Sequence, residues 1–78
     1  MENNCNINHP LDDVRNKYEF QKEYLPTEMN ASFESFFNHE HTQDILNDVF
    51  HLLKKYDLAT EEEREHRNKR LYMVLHNL

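Results

Sequence analysis

Residues 42–58, TQDILNDVFHLLKKYDL, decide the fold. Ile45, Leu46, Val49, Phe50, Leu52, Leu53 and Tyr56 recur with the period of an α-helix that is apolar on one side. Thr42 stands where an N-cap residue belongs, and Asp44 falls in the first turn, where the helix dipole favours an anion. At about 100° per residue, and with Ile45 at zero, this apolar group spans from about 340° round to about 140°. An arc of about 160° is wider than one neighbouring helix covers, so the helix needs at least two.

The stretch just before it does not continue the same face. Met29, Phe33, Phe36 and Phe37 also follow helical spacing, but the three Phe fall near 180–280° on the same wheel, on the opposite side. One unbroken helix from Ala31 to Leu58 would be apolar almost all round, which a soluble chain of this size could not bury. The phase therefore predicts a short helix over Ala31–Asn38, with Asn30 as its cap, and a break between Asn38 and Thr42. Downstream, Thr60-Glu61-Glu62-Glu63 is a capping-box sequence that opens a last helix over 60–78. Glu63–Arg67 and Glu65–Lys69 are favourable pairs on it, each worth roughly 0.2–0.5 kcal/mol. The short link Asp57-Leu58-Ala59 predicts an antiparallel hairpin of the last two helices. Upstream, Leu11, Val14, Tyr18 and Leu25 make the stripe of a first helix, with Gln21 in the remaining slot and Pro26 as its stop. Pro10 suits the first helical position. Residues 1–10 carry four Asn and read as a flexible tail.

Composition narrows the function. A chain of 78 residues is one domain. With no Gly there is no Walker loop, no dinucleotide-binding turn and no nucleophile elbow. The single Cys allows neither an intrachain disulfide nor a Cys-rich zinc site, and points to the cytoplasm. No apolar run approaches the roughly 18–20 residues that cross a bilayer. The net charge of −6 disfavours nucleic-acid backbones and anionic membranes and suits a basic protein surface. Only 37% of residues are hydrophobic. That deficit predicts an interior completed by a second copy of the chain.

Five features are candidates for chemistry or binding. His39-Glu40-His41, with His51, has donors that suit zinc, nickel or copper; the plainer reading is a hydrated polar face. Glu63-Arg64-Glu65-His66 has the spacing of a di-iron half-site but lacks a second copy and a dry surround. Arg64, Arg67, Lys69 and Arg70 form a basic patch on the second helix of a hairpin, the arrangement of a helix-turn-helix. The acids interleaved with them favour a salt-bridged exposed face instead. Cys5 sits in the tail without a scaffold that would make it a nucleophile. Phe33, Phe36 and Phe37 are the densest aromatic group, and serve either as core or as the anchor of an interface.

The sequence thus predicts an all-α fold. Three main helices and a short Phe-rich one form a small bundle that ends in an antiparallel hairpin and is completed by dimerisation. It predicts a non-enzymatic interaction module without cofactor, a regulator or inhibitor docking on a partner protein through a helical surface. Phe33, Phe36, Phe37, Tyr56 and Tyr72 are its candidate interface residues. Tyr72 qualifies because it lies off the Leu71–Val74–Leu78 stripe. The alternatives are a metal-binding module built on His39, His41 and His51, and a helix-turn-helix nucleic-acid binder.

Overall fold

Thr42 opens the amphipathic helix as expected: its backbone is extended and its hydroxyl accepts the Ile45 amide at 3.3 Å. In the computed structural model, which describes residues 9–76, four α-helices follow one another and no strand forms among those residues. They are α1 (Leu11–Gln21), α2 (Met29–Phe37), α3 (Gln43–Leu53) and α4 (Glu61–Leu75). The chain breaks between α2 and α3 where the phase requires it. The expectations for Cys5 and for residues 1–8 of the tail lie outside the described residues.

α3 finds the two neighbours its wide arc demands. α1 runs alongside in the same direction: His9 meets Asn47 near its start and Gln21 meets Asp57 beyond its end. α4 returns antiparallel, with Arg67 reaching the Leu52 and Lys54 carbonyls and Arg70 reaching Asp48. α2 closes the end against α1 and α4. Phe33 stacks on Tyr18 with ring centroids 4.4 Å apart, and the Tyr18 hydroxyl donates to Asn30 Oδ1 at 2.9 Å. Burial first, then the Glu19 and Glu34 carboxylates, pushes the Tyr18 phenol above its ordinary pKa, which keeps it a donor.

Four boundaries differ from the sequence reading. α4 ends at Leu75, with His76 as its C-cap, and the expectation for residues 77–78 lies outside the described residues. α1 stops at Gln21, and the chain tightens into a 3-10 turn at Lys22–Tyr24 before Leu25 turns extended ahead of Pro26. α2 starts at Met29 rather than Ala31, so Asn30 is not its cap and is spent on Tyr18 instead. The largest difference is in α3, which ends at Leu53 and not at Leu58. Lys54 is extended, Lys55 takes a left-handed φ of 58°, and Tyr56–Leu58 form a 3-10 turn. Carbonyls along this segment are captured by α4. Arg67 takes those of Leu52 and Lys54, and Arg64 those of Tyr56 and Asp57. The break re-aims Tyr56 so that its ring is fully buried and its hydroxyl meets Asn68 at 2.6 Å.

Two further details concern the caps. Thr60 caps α4 through the Glu63 amide at 3.1 Å, while the Glu63 carboxylate pairs with Arg67 at 2.8 Å. Pro10 stands just before the first helical residue, as N-cap, with φ −69° and ψ 166°.

Lys55 has a Cβ in a conformation that costs an L-residue roughly 1–2 kcal/mol, while glycine loses about 0.5–1 kcal/mol of chain entropy. A Lys55→Gly change is therefore expected to raise stability by up to about 1 kcal/mol in urea unfolding, and a loss would show that the lysine stem packs usefully on the turn.

Candidate functional site

The polar half of α4, Glu61–Arg70, contains no apolar residue, and the direction each charge faces gives it meaning. Arg64 and Arg67 turn inward, while Arg70 is exposed. Arg64 gives its Nε and Nη2 protons to the Tyr56 and Asp57 carbonyls. Arg67 binds two carbonyls and Glu63, and Arg70 binds Asp48. The acids turn outward. Glu61, Glu62 and Glu65 are exposed and have no ion-pair partner among the described residues. Lys69 is exposed one turn further along.

These carboxylates form one wall of an open cleft of about 640 Å³. The opposite wall is Tyr24, Leu25 and Pro26, from the turn that follows α1, and Tyr56 and Asn68 lie at its floor. The Arg64 guanidinium sits between two rings, 5.3 Å from the centroid of Tyr56 and 5.8 Å from that of Tyr24. Tyr24, which lines the cleft, is 42% exposed, and a cation over its ring is an attractive contact. The cleft thus offers three carboxylates against one guanidinium that gives two of its protons to backbone carbonyls, beside an accessible aromatic face.

Of the five residues predicted for an interface, three are core. Phe33, Phe36 and Tyr56 are 0–2% exposed within a single chain, so they are unavailable to a partner of the folded protein. Phe37 is half-buried, under the Arg15 guanidinium at 5.1 Å. Tyr72 alone is outside, 54% exposed, with the His76 ring 4.4 Å away. The reason is geometric. The predicted break after α2 turns its apolar face back onto α1 and α4, so the two apolar faces that one unbroken helix would have pointed apart meet in one core.

The three histidines predicted as a metal set are not brought together. His39 and His41 each hold a carbonyl at the end of α2, from Ser35 and Phe36. His51 lies on α3 beside the His9 ring, at 5.8 Å. Among the described residues no three His, Cys, Asp or Glu side chains stand close enough to share an ion, Glu63 and His66 included. The basic patch is divided likewise: Arg64, Arg67 and Arg70 are committed within the chain, and Lys69 alone of the four is without a partner among the described residues.

Sequence reasoning placed His9 in the tail, yet it belongs to the folded body. Its amide donates to Asn47 Oδ1, its carbonyl accepts from Gln43 Nε2, and its ring stacks on Phe50 at 3.6 Å. Phe20, like Tyr24, stands outside, at 66% exposed. No described helix is long and apolar enough to cross a membrane. Comparison with protein-family models, with curated proteins and with solved structures finds no match to the chain.

Proposed function

We propose that the chain is a non-enzymatic, cytoplasmic interaction module that regulates or inhibits a partner by docking on a basic segment of it. The observation that carries this reading is the sorting of charge at the start of α4: Arg64 and Arg67 spent on carbonyls of the chain, and the Glu61, Glu62 and Glu65 carboxylates left outward around Tyr24. A Lys or Arg side chain entering the cleft meets the Glu61, Glu62 and Glu65 carboxylates and the face of an aromatic ring, the two groups that stabilise a cation. The surplus of negative charge steers a basic surface toward it and repels a second copy of the same face. This moves the anchor from the Phe cluster, which the chain uses for its own interior, to Tyr24.

Capture from the native host by photo-crosslinking tests the reading with a paired variant. The wild-type chain is expected to retain a basic protein at ~0.15 M salt and to release it as salt rises, because exposed charges are screened beyond about 8 Å under those conditions. Glu61→Gln/Glu62→Gln/Glu65→Gln keeps the helix and is expected to lose that protein. Recovery of the same proteins by wild type and variant alike would overturn the reading.

A further inference from the structure

Exposed apolar side chains collect at the edge of the acidic cleft. Among the described residues five large hydrophobic side chains stand outside. Tyr72 and Met73 lie on the far half of α4, and the other three are Phe20, Tyr24 and Leu58. Lys17, Phe20 and Tyr24 follow at spacings of three and four residues, so they share one flank of α1 and of the 3-10 turn that continues it. Lys17 Nζ lies 5.4 Å from the centroid of the Phe50 ring, which sets that flank against α3. The turn that follows α3 carries Leu58, 75% exposed. Gln21 and Asp57, the chain neighbours of Phe20 and Leu58, are joined by two hydrogen bonds of 2.9 Å. The Asp57 carbonyl accepts from Arg64, whose guanidinium lies 5.8 Å from the Tyr24 ring. Phe20, Tyr24 and Leu58 thus stand around one clasp, and α4 opens with Glu61 and Glu62 directly after it.

Bulky apolar groups left outside and rimmed by charge mark a surface that a partner covers. The charge says which kind. The exposed carboxylates of Glu61, Glu62 and Glu65 have no ion-pair partner among the described residues. They repel an anionic membrane surface, and a second copy presenting the same face would set like charge against like. They attract a basic segment. We infer that the segment docking here is basic and apolar together. Its Lys or Arg side chains meet the carboxylates and the Tyr24 ring, and a neighbouring side chain of Leu or Phe size covers Phe20 and Leu58. The inference rests on the basic-segment reading above and adds an apolar anchor to it. The two contacts differ in kind. The charged one steers the encounter and weakens with salt, whereas the apolar one resists salt and separates a matched segment from one that is merely basic.

Fluorescence anisotropy at ~0.15 M salt tests it with two synthetic peptides of equal length and equal positive charge. One is built of Lys, Arg, Leu and Phe, and the other has Ser in place of each Leu and Phe. The wild-type chain is expected to bind the apolar peptide about tenfold or more tightly than the Ser peptide, the scale of covering one such side chain. Phe20→Ala/Leu58→Ala changes two exposed positions and leaves the interior intact. It is expected to remove that preference while the weaker binding of the Ser peptide persists. Glu61→Gln/Glu62→Gln/Glu65→Gln is expected to weaken both peptides. Equal affinity of the wild type for the two peptides, or a preference that survives Phe20→Ala/Leu58→Ala, overturns the inference and leaves the basic-segment reading standing. Undiminished binding by the Gln variant, or no binding of either peptide by the wild type, overturns that reading and the inference with it. Self-association in sedimentation, or flotation with phosphatidylglycerol vesicles, that Phe20→Ala/Leu58→Ala abolishes would give the patch to a second copy or to a membrane, and overturns the inference as well.

Discussion

Phe33→Ala is expected to remove about 3–5 kcal/mol of folding stability, the usual cost of deleting a fully buried ring and leaving its cavity. Phe33 is 0% exposed and lies between Tyr18, at 4.4 Å, and Phe37, at 5.9 Å. Its loss removes the stack that holds Tyr18 over Asn30, so an aromatic contact and a hydrogen bond loosen with it. At ~0.05–0.15 kcal/mol per residue, a chain of 78 residues has a total stability of about 4–12 kcal/mol. The variant therefore unfolds at a much lower urea concentration or is largely unfolded without urea. Phe20→Ala, on a ring 66% exposed, is the control and is expected to stay within about 0.5 kcal/mol of wild type. Equal midpoints for the two variants would mean that the Phe33 ring is not core.

The same residue shows what periodicity can and cannot say. The helical wheel separates the faces of Phe33, Phe36 and Phe37 from that of Ile45, Leu46 and Val49, and a break in the chain follows from burial alone. It does not say where the first face goes after the break, because that depends on three residues of connection whose backbone angles carry no strong signal. The apolar deficit is silent on a related point. It treats polar residues as surface, whereas this interior also pairs aromatic hydroxyls with amides: Tyr18 with Asn30 and Tyr56 with Asn68. The partners in each pair are 12 residues apart. They belong to different elements, so no local pattern announces them.

The end of α3 was hidden in the same way. Lys54 and Lys55 are ordinary helix formers, and with no Gly or Pro nearby the apolar stripe runs on to Tyr56 without a stop signal. The break is held from α4, where Arg67 supplies donors to the Leu52 and Lys54 carbonyls, which a helix running on to Leu58 would have kept for itself, and Arg64 to those of Tyr56 and Asp57. The charges of α4 were legible as a list, and their directions were not. An arginine that reads as a nucleic-acid contact and one that staples a turn are the same letter. Only the turn's geometry separates them. The acidic cleft emerges once those arginines are subtracted.

Gln21 offers the second large effect, because it is a polar residue in the apolar stripe of α1 and is 2% exposed. Its carbonyl oxygen accepts the Asp57 amide and its Nε2 donates to the Asp57 carboxylate, both at 2.9 Å. It thereby fastens the end of α1 to the turn that presents Tyr56. Gln21→Leu keeps the volume and is expected to lose about 1–3 kcal/mol in urea unfolding, since an amide and a carboxylate are left unpartnered in a partly buried place. An apolar gain of that size would show that the turn rearranges freely. Adding Asp57→Ala is expected to recover only part of the loss, because the backbone amide at 57 still lacks its acceptor. Gln21→Glu sets a carboxyl against the Asp57 carboxylate, which raises the folded-state pKa of the pair above the unfolded value. Its stability is therefore expected to approach wild type below about pH 4 and to fall away as pH rises through the range in which both groups would ionise. A deficit that is the same at about pH 4 and about pH 7 would mean that the two side chains do not face each other, and with that the link between α1 and the Tyr56 turn would be lost.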